Sequence, residues 1–390
     1  MKIKSLDIKG VGCIRSLHLD FNDRMNILCG PNSIGKTTIV ESVASMFMFG
    51  SPNVKRNVSC ERGSLSAKIE NEGTLQENTI VLRKFNPAER DTTNSFAGYA
   101  SKIISIKVER NFGYSKLNAV PSDKERNSSD LWEETIAGVT FDGVKGWFVN
   151  RFLYSAREGT LSEQQVSNYQ LAERCFSIVN SQYSFSRVMG ATNDIMVNTP
   201  QGEIYFEYLS SGFKSILYLL FSTIKEIEFR FKEHNLKAED FDGIILIDEV
   251  EIHLHPEWQE QIVHILENTF PNAQFIITTH SPHVIQTAES NQILALQLSE
   301  DGNVTLRDDL QTCKYGFKGW TIEEILYDVM GMKSLRTEMC RELMDNFGKA
   351  IDKEDIGKAK EIFDELNELL HPQNPQRKLF SFQLAKISGA

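Results

Sequence analysis

Two hydrophobic periods divide the chain. Period-two alternation over residues 3–8 and 17–21 predicts a pair of strands, and the apolar run Met25–Cys29 a third that feeds a glycine-rich loop. Helical spacing then takes over from Thr37 to about Phe49. Residues 50–130 are richer in Ser, Asn, Gly and Glu, and Thr79–Lys84 and Ile103–Glu109 alternate as antiparallel strands do. Asn118–Asp130 (NAVPSDKERNSSD) reads as a mobile loop. The run Trp147–Tyr154 predicts a buried strand, residues 161–185 a helix, and Met189–Tyr208 two strands around Thr199–Gly202. From Leu209 the segment LSSGFKS opens a helix with apolar positions 216, 217, 220, 224, 227 and 231.

Further on, Ile244–Ile247 and Phe275–Ile277 are unbroken apolar runs, the mark of parallel strands buried on both faces. Pro256 suits the first turn of the helix between them, whose Trp258, Ile262, Ile265 and Leu266 would pack on the sheet. Gln292–Leu298 and Val304–Arg307 predict a hairpin. In the tail, the stripes Leu335/Met339/Leu343/Phe347 and Ile362/Leu366/Leu369/Leu370 flank Asp352–Asp355 and predict a helical hairpin. The organisation expected is a first lobe over 1–155, built around the glycine-rich loop and carrying a β-rich insertion at about 50–145, and a helical lobe over 156–240. A second core segment over 241–310 and a helical extension over 311–390 complete it.

Composition narrows the class. With 390 residues, 41% of them hydrophobic, the chain can bury a sizeable core. No apolar run approaches the roughly 18–20 residues of a membrane span, and the N-terminus MKIKSLDIKG lacks a signal-peptide core, so a cytoplasmic protein is expected. Six scattered cysteines without a CxxC pair fit reduced thiols. The net charge of −11 divides unevenly, residues 1–160 carrying net +4 and residues 161–390 net −15. Phosphate contacts need local cations, so any nucleic acid would meet the first half, at Lys55-Arg56, Arg83-Lys84 or Lys102/Lys107/Arg110. Such thin clusters fit a solvated mixed-charge face equally well.

The chemistry sits in four places. Gly30-Pro31-Asn32-Ser33-Ile34-Gly35-Lys36-Thr37, followed by Thr38, fits G-x-x-x-x-G-K-[ST] between a strand and a helix. Backbone N–H groups there would cradle phosphates, Lys36 would neutralise the β and γ oxygens, and the Thr37 hydroxyl would ligate Mg²⁺. At the end of the apolar strand, Asp248 would hold the Mg²⁺ shell and Glu249 would orient or deprotonate the attacking water. His280, at the tip of the next strand, would contact the γ-phosphate. Ser211-Gly212, opening a long helix, form an anion-binding terminus. His253, His255, His280 and His283 also admit a metal-site reading, but no cysteine or spaced carboxylate completes a tetrahedral shell.

In order and spelling, these motifs resemble the ABC-type ATPase heads of the SMC/RecF/OLD group. DEVEIHLHPEWQ followed by FIITTHSP is most similar to OLD-family and PtuA-like ATPases of bacterial anti-phage systems. The resemblance implies an α/β P-loop NTPase of ABC/SMC-head type. It would have a mixed central sheet, an antiparallel β lobe, a helical signature lobe and a C-terminal helical extension. It also implies two protomers sandwiching two ATPs with Mg²⁺ head to tail. Each site would take Lys36, Thr37, Asp248, Glu249 and His280 from one chain and Ser211-Gly212 from the other, with Glu251–His255 crossing between sites. Three departures stand out: Ser33 where the group has Gly, SSG in place of SGG, and no clear Q-loop glutamine, Arg157 being the candidate for that position.

OLD-type nucleases continue into a Toprim domain built on a glutamate and a later Asp-x-Asp. The residues after His280 show no such set, Asp308-Asp309 included, and no HNH-like cluster. The expectation is an ATPase that forms a homodimer or higher oligomer and controls a separate nuclease, HNH-type first and Toprim second, with nucleic acid a possible further partner. Two other readings compete: a RecF/SMC-like DNA-binding ATPase of repair or replication, and a scaffold that binds ATP without turning it over.

Overall fold

A computed structural model describes residues 1–110, 114, 116–123, 126–307, 310, 314–332 and 334–388. It divides into two units, Met1–Gly331 and Met332–Ala390.

The first unit is organised by a six-stranded sheet. Its order is Val304–Leu306, Ile293–Leu298, Met25–Cys29, Gln274–Thr278, Ile244–Ile247, Ile103–Ile106. All neighbours are parallel except the first pair, so the sheet is mixed through one antiparallel edge. Alternate residues of each strand face opposite cores, as the two-residue repeat requires. Ile245, Ile247, Phe275 and Ile277 pack with the helices Val144–Ser155, Glu163–Val179, Ser211–Arg230 and Ile262–Thr269. Ile244, Leu246, Ile276 and Leu28 pack with the helix Lys36–Met46 and an antiparallel sheet ordered Ile14–Asp20, Lys2–Val11, Gly63–Asn71, Thr74–Leu82. A three-stranded sheet, Gly202–Tyr205, Ile195–Thr199, Ser184–Val188, completes the helical side.

Three sequence expectations change. Trp147–Tyr154 is helical, within Val144–Ser155. Its aromatic and β-branched content favours a strand locally, yet as a helix it buries Phe148 against Phe221, ring centroids 5.2 Å apart, and Trp147 with its indole on Glu228. Ile103–Ile106 is the parallel edge strand of the central sheet, not part of an antiparallel pair. Residues 118–130 are anchored where they are described. Asp123 receives Arg151 at 2.7 Å, Arg126 meets Glu226 at 3.0 Å, and Ser128 starts the helix Ser128–Ala137; residues 124–125 lie outside the described set. So do Asp308-Asp309.

The helix Ser211–Arg230 is buried almost all round, beyond the single apolar stripe its sequence shows. Its Glu228, like polar residues of the neighbouring elements, is accommodated by an ion pair. Arg151, 1% exposed, donates to Glu228 at 2.5 Å, and Glu228 also accepts from the Trp147 indole at 3.0 Å and the Asn168 amide at 3.2 Å. Lys145 joins Asp194 and Glu207, each at 2.6 Å.

The second unit holds three helices, Glu338–Asp352, Ile356–Leu369 and Pro375–Ser388. Phe347, Ile362, Leu366 and Phe380 form its core. The predicted hairpin is present, a third helix is added, and Leu335, Met339 and Leu369 are exposed rather than packed.

Candidate functional site

The parallel strands deliver their carboxyl ends to one edge, where open α/β sheets place ligands. From Met25–Cys29 the chain turns through Gly30, at φ 138°, where a Cβ would stand 2.5 Å from the Leu296 carbonyl oxygen. Only glycine fits. Ser33 adopts φ 61°, a left-handed position that glycine occupies without strain and other residues adopt less readily. The helix Lys36–Met46 then starts with no side-chain cap and no acid in its first turn. Its leading N–H groups are therefore available to an anion.

Those residues line a cavity of about 630 Å³, bounded by Cys13, residues 32–38, Glu249 and His280. Lys36 is 5% exposed, and its ammonium donates to the carbonyls of Gly30 and Pro31, both at 3.0 Å. Burial holds its pKa below the ordinary lysine value despite Glu251, Glu249 and Asp248 nearby. A desolvated cation held by carbonyls, beside uncapped amides, fits a polyphosphate.

Asp248 follows directly on Ile244–Ile247. One carboxylate oxygen accepts from the Thr278 hydroxyl at 2.6 Å and from Thr37 at 3.3 Å. The loop and the acidic strand end thus meet side chain to side chain. Among the described residues no three His, Cys, Asp or Glu converge to hold a metal ion. Thr37 and Asp248 instead suit Mg²⁺, which binds through one or two protein oxygens with water and phosphate completing the shell.

Glu249 stands at φ 48°, a conformation a non-glycine residue adopts only when its surroundings enforce it. Its N–H donates to the Thr278 hydroxyl at 2.7 Å, and the Val250 N–H to the Thr278 carbonyl at 3.0 Å. His280 is fixed through Glu251, whose carboxylate accepts the His280 N–H at 2.5 Å and the Thr279 hydroxyl at 2.8 Å. Gly30, Asn32, Ser33, Gly35, Lys36, Thr37, Thr38, Asp248, Glu249 and His280 therefore gather at one strand edge.

Ser211-Gly212 do not join them. The exposed Ser211 begins its helix behind Ser210, whose hydroxyl accepts from the Phe213 N–H at 3.3 Å. Gly212 is buried under the acidic turn, where a Cβ would be 3.3 Å from the His253 carbonyl oxygen. No residue of 209–212 lines the phosphate cavity.

Other expectations need correction. Arg157 is exposed and follows a helix, so it has no strand to extend. The strand beside Ile244–Ile247 is Ile103–Ile106, and Lys107, Glu109 and Arg110 are what continue it. Several cations of the candidate clusters are engaged within the chain. Lys102 pairs with Asp242 at 3.4 Å, Lys107 with Glu41 at 2.6 Å, and Arg56 donates to three backbone carbonyls. Arg110 is buried and points inward to the acidic turn. Cys13 carried no motif, and the motifs holding Thr278 and Glu251 gave those two no role at this site; only the fold brings all three here.

A glycine-rich lysine loop, an acidic strand end and a strand-tip histidine on one edge of a mixed sheet, with antiparallel and helical lobes on its faces, define a P-loop ATPase. A family described as "AAA domain, putative AbiEii toxin, Type IV TA system" matches residues 71–286, and one described as "AAA ATPase domain" matches residues 1–140. The Septu protein PtuA of Bacillus thuringiensis is 42% identical over 99% of this chain and 98% of that protein. The chain belongs to the PtuA family. The retron Vc95 probable ATPase of Vibrio cholerae is 42% identical, covering 62% of this chain and 53% of that one. The retron Ec83 probable ATPase of Escherichia coli is 35% identical, covering 59% and 44%. An SMC head domain from Thermotoga maritima superposes loosely, with TM-score 0.43, 16% identity, and coverage of 80% of this chain and 100% of that one.

Proposed function

We propose that this chain is the ATPase subunit of an anti-phage defence system, assembling head to tail on ATP and controlling a separate nuclease. The observation that carries the assembly is a separation. The phosphate cavity takes Lys36, Thr37, Glu249 and His280 from one strand edge, while Ser211 opens an uncovered helix terminus elsewhere on the surface. A second copy that places its Ser211 against the first copy's cavity would complete two equivalent sites. Membership of the PtuA family supports the defence role, and the separate nuclease partner rests on the likeness of DEVEIHLHPEWQ and FIITTHSP to nuclease-linked ATPases in a sequence that shows no nuclease motif of its own.

In this reading Lys36 and the leading amides of its helix bind and orient the triphosphate. Thr37 and Asp248 would hold Mg²⁺, which supplies charge neutralisation of the β and γ oxygens. Glu249 aligns a water and takes its proton as the oxygen attacks the γ-phosphorus and ADP leaves. His280 steadies the γ-phosphate. The engagement of Lys102, Lys107 and Arg110 within the chain removes the main motive for a DNA clamp.

The test is mass in solution. Glu249→Gln should retain ATP and shift to a dimer or larger species by light scattering, and Ser211→Arg in that background should abolish the shift. An unchanged mass with ATP would sink the assembly. Co-expression with a neighbouring HNH or Toprim gene, yielding no complex, would sink the nuclease partner.

A further inference from the structure

The acidic turn at Asp248–Val250 is held by a residue outside every motif. Arg110, 6% exposed, sits just past the edge strand Ile103–Ile106. One terminal nitrogen of its guanidinium donates to the carbonyls of Asp248 at 2.7 Å and Glu249 at 3.1 Å. The other reaches the Val250 carbonyl at 3.4 Å, and Nε donates to the Lys107 carbonyl at 3.2 Å. A single planar fork thus spans three consecutive peptides, the middle one being the left-handed Glu249.

Such a conformation persists only where neighbours over-determine it. From one side Thr278 receives the Glu249 N–H; from the other Arg110 takes the carbonyls. Without Arg110 the buried Asp248 would lose the side-chain donor to its carbonyl, while the Glu249 carbonyl would keep only the Ile252 N–H at 3.1 Å. Burial pushes the guanidinium down to about 10, opposed by the nearby Glu251, Asp248 and Glu249 carboxylates. It stays charged at neutral pH, so its hydrogen bonds are charge-assisted.

We propose that Arg110 is a positioning residue for ATP hydrolysis: its fork to the Asp248, Glu249 and Val250 carbonyls holds the Glu249 side chain on the attacking water. Arg110 is absent from the lining of the phosphate cavity and acts through the backbone of the acidic turn. The inference rests on Glu249 serving as the water-activating carboxylate. It also gives the 107–110 segment a route to that carboxylate, because Lys107 of the same segment grips Glu41 on the lysine-loop helix at 2.6 Å.

The test uses the full chain with Mg-ATP. Arg110→Met keeps the length and removes the fork; Arg110→Lys keeps the charge and one donor. A misplaced catalytic group costs on the order of 10- to 100-fold, so Arg110→Met should lower kcat by about that factor with KM for ATP changed less than about threefold. Arg110→Lys should recover part of that loss. The decisive arm is the double variant with Glu249→Gln. If Arg110 acts through Glu249, adding Arg110→Met to Glu249→Gln lowers the residual kcat by less than about twofold. A merely structural role predicts equal losses in both backgrounds, or KM rising as kcat falls, and either overturns the proposal. Should Arg110→Met not fold, Arg110→Lys carries the same cycle, and a kcat equal to wild type in that variant overturns it too. If Glu249→Gln itself turns over like wild type, the water-activating role of Glu249 fails first, a result distinct from an intact Glu249 effect with an indifferent Arg110.

Discussion

Two sets of buried cations lie in the first unit, and they are held differently. At the phosphate edge, Lys36 and Arg110 donate to backbone carbonyls, and burial holds both below their ordinary pKa values. In the helical lobe, Arg151 faces the carboxylates of Glu228 and Asp123, and Lys145 faces Asp194 and Glu207. There burial pulls the same way, but the carboxylates more than offset it and both cations are raised. The difference separates function from architecture. A buried cation with its carboxylates beside it has its counter-charge built in. Lys36, held by carbonyls inside the phosphate cavity, is placed to take a bound phosphate as its counter-charge, whereas Arg110 lies outside that cavity and is opposed only by the Glu251, Asp248 and Glu249 carboxylates.

The strongest way to break this contrast is to remove one cation from each set. Lys36→Met deletes a charge whose partner is the substrate. Turnover should fall roughly 10²–10³-fold, the scale for losing one preorganised donor. The thermal midpoint of the nucleotide-free variant should not drop, since a desolvated ammonium is replaced by an isosteric apolar chain. A clear fall in the midpoint would place Lys36 in the architecture instead.

Arg151→Met should do the reverse. It strands the Glu228 carboxylate, 2% exposed, without its main partner, at a cost of about 3–5 kcal/mol measured by urea unfolding. KM for ATP should hold at temperatures where the variant is folded. Burial, its foremost influence, already raises the Glu228 pKa, and losing Arg151 raises it further. The folded variant then binds protons more tightly than the unfolded chain, so its deficit should shrink on acidification from about pH 8 to about pH 5. A deficit independent of pH would show that packing, not charge, is what Arg151 supplies.

A smaller effect sharpens the same point at Asp194. Burial alone would raise this carboxyl, but the hydrogen bond from Lys145 more than offsets it and the net shift is downward. The pair's contribution is complete above the ordinary aspartate range and is lost as pH falls through the lowered value. Asp194→Asn should therefore flatten the acid limb of the stability–pH curve and leave ATP turnover unchanged. An unaltered acid limb would mean the pair contributes nothing net.

Legibility in the sequence follows the same division. Lys36, Asp248, Glu249 and His280 were readable because phosphate chemistry fixes residue types at fixed spacings beside buried strands. The parallel strands were readable from unbroken apolar runs such as Ile244–Ile247. What escaped depends on partners distant in sequence. Trp147–Tyr154 has strand-like content, and only packing against the helix Ser211–Arg230 and the Arg151–Glu228 pair makes it helical. Arg110 read as a surface cation because its acceptors lie 138 to 140 residues away. Thr278 and Glu251 lie within the quoted motifs, but their roles as hydrogen-bond partners of Asp248 and His280 emerge only when two strands end side by side.

The smallest and finest test lies in two adjacent serines. Ser210 and Ser211 are both exposed at the start of one helix, and their chemistry is the same. Ser210 caps, its hydroxyl accepting the Phe213 N–H at 3.3 Å. Ser211 is already the first helical residue and carries no cap. Ser210→Ala should cost about 1 kcal/mol of stability, the usual value of an N-cap, and little in turnover per folded molecule. Ser211→Ala should leave the unfolding curve in place and lower both ATP-dependent assembly and turnover, because in the proposed assembly its hydroxyl serves a phosphate on another copy. If the two variants exchange these phenotypes, the anion-binding role belongs to Ser210, and the helix terminus is set one residue earlier against the partner than proposed. If Ser211→Ala changes neither mass nor turnover, this helix end is architecture alone, and the completing residue of each site must come from the crossing segment Glu251–His255.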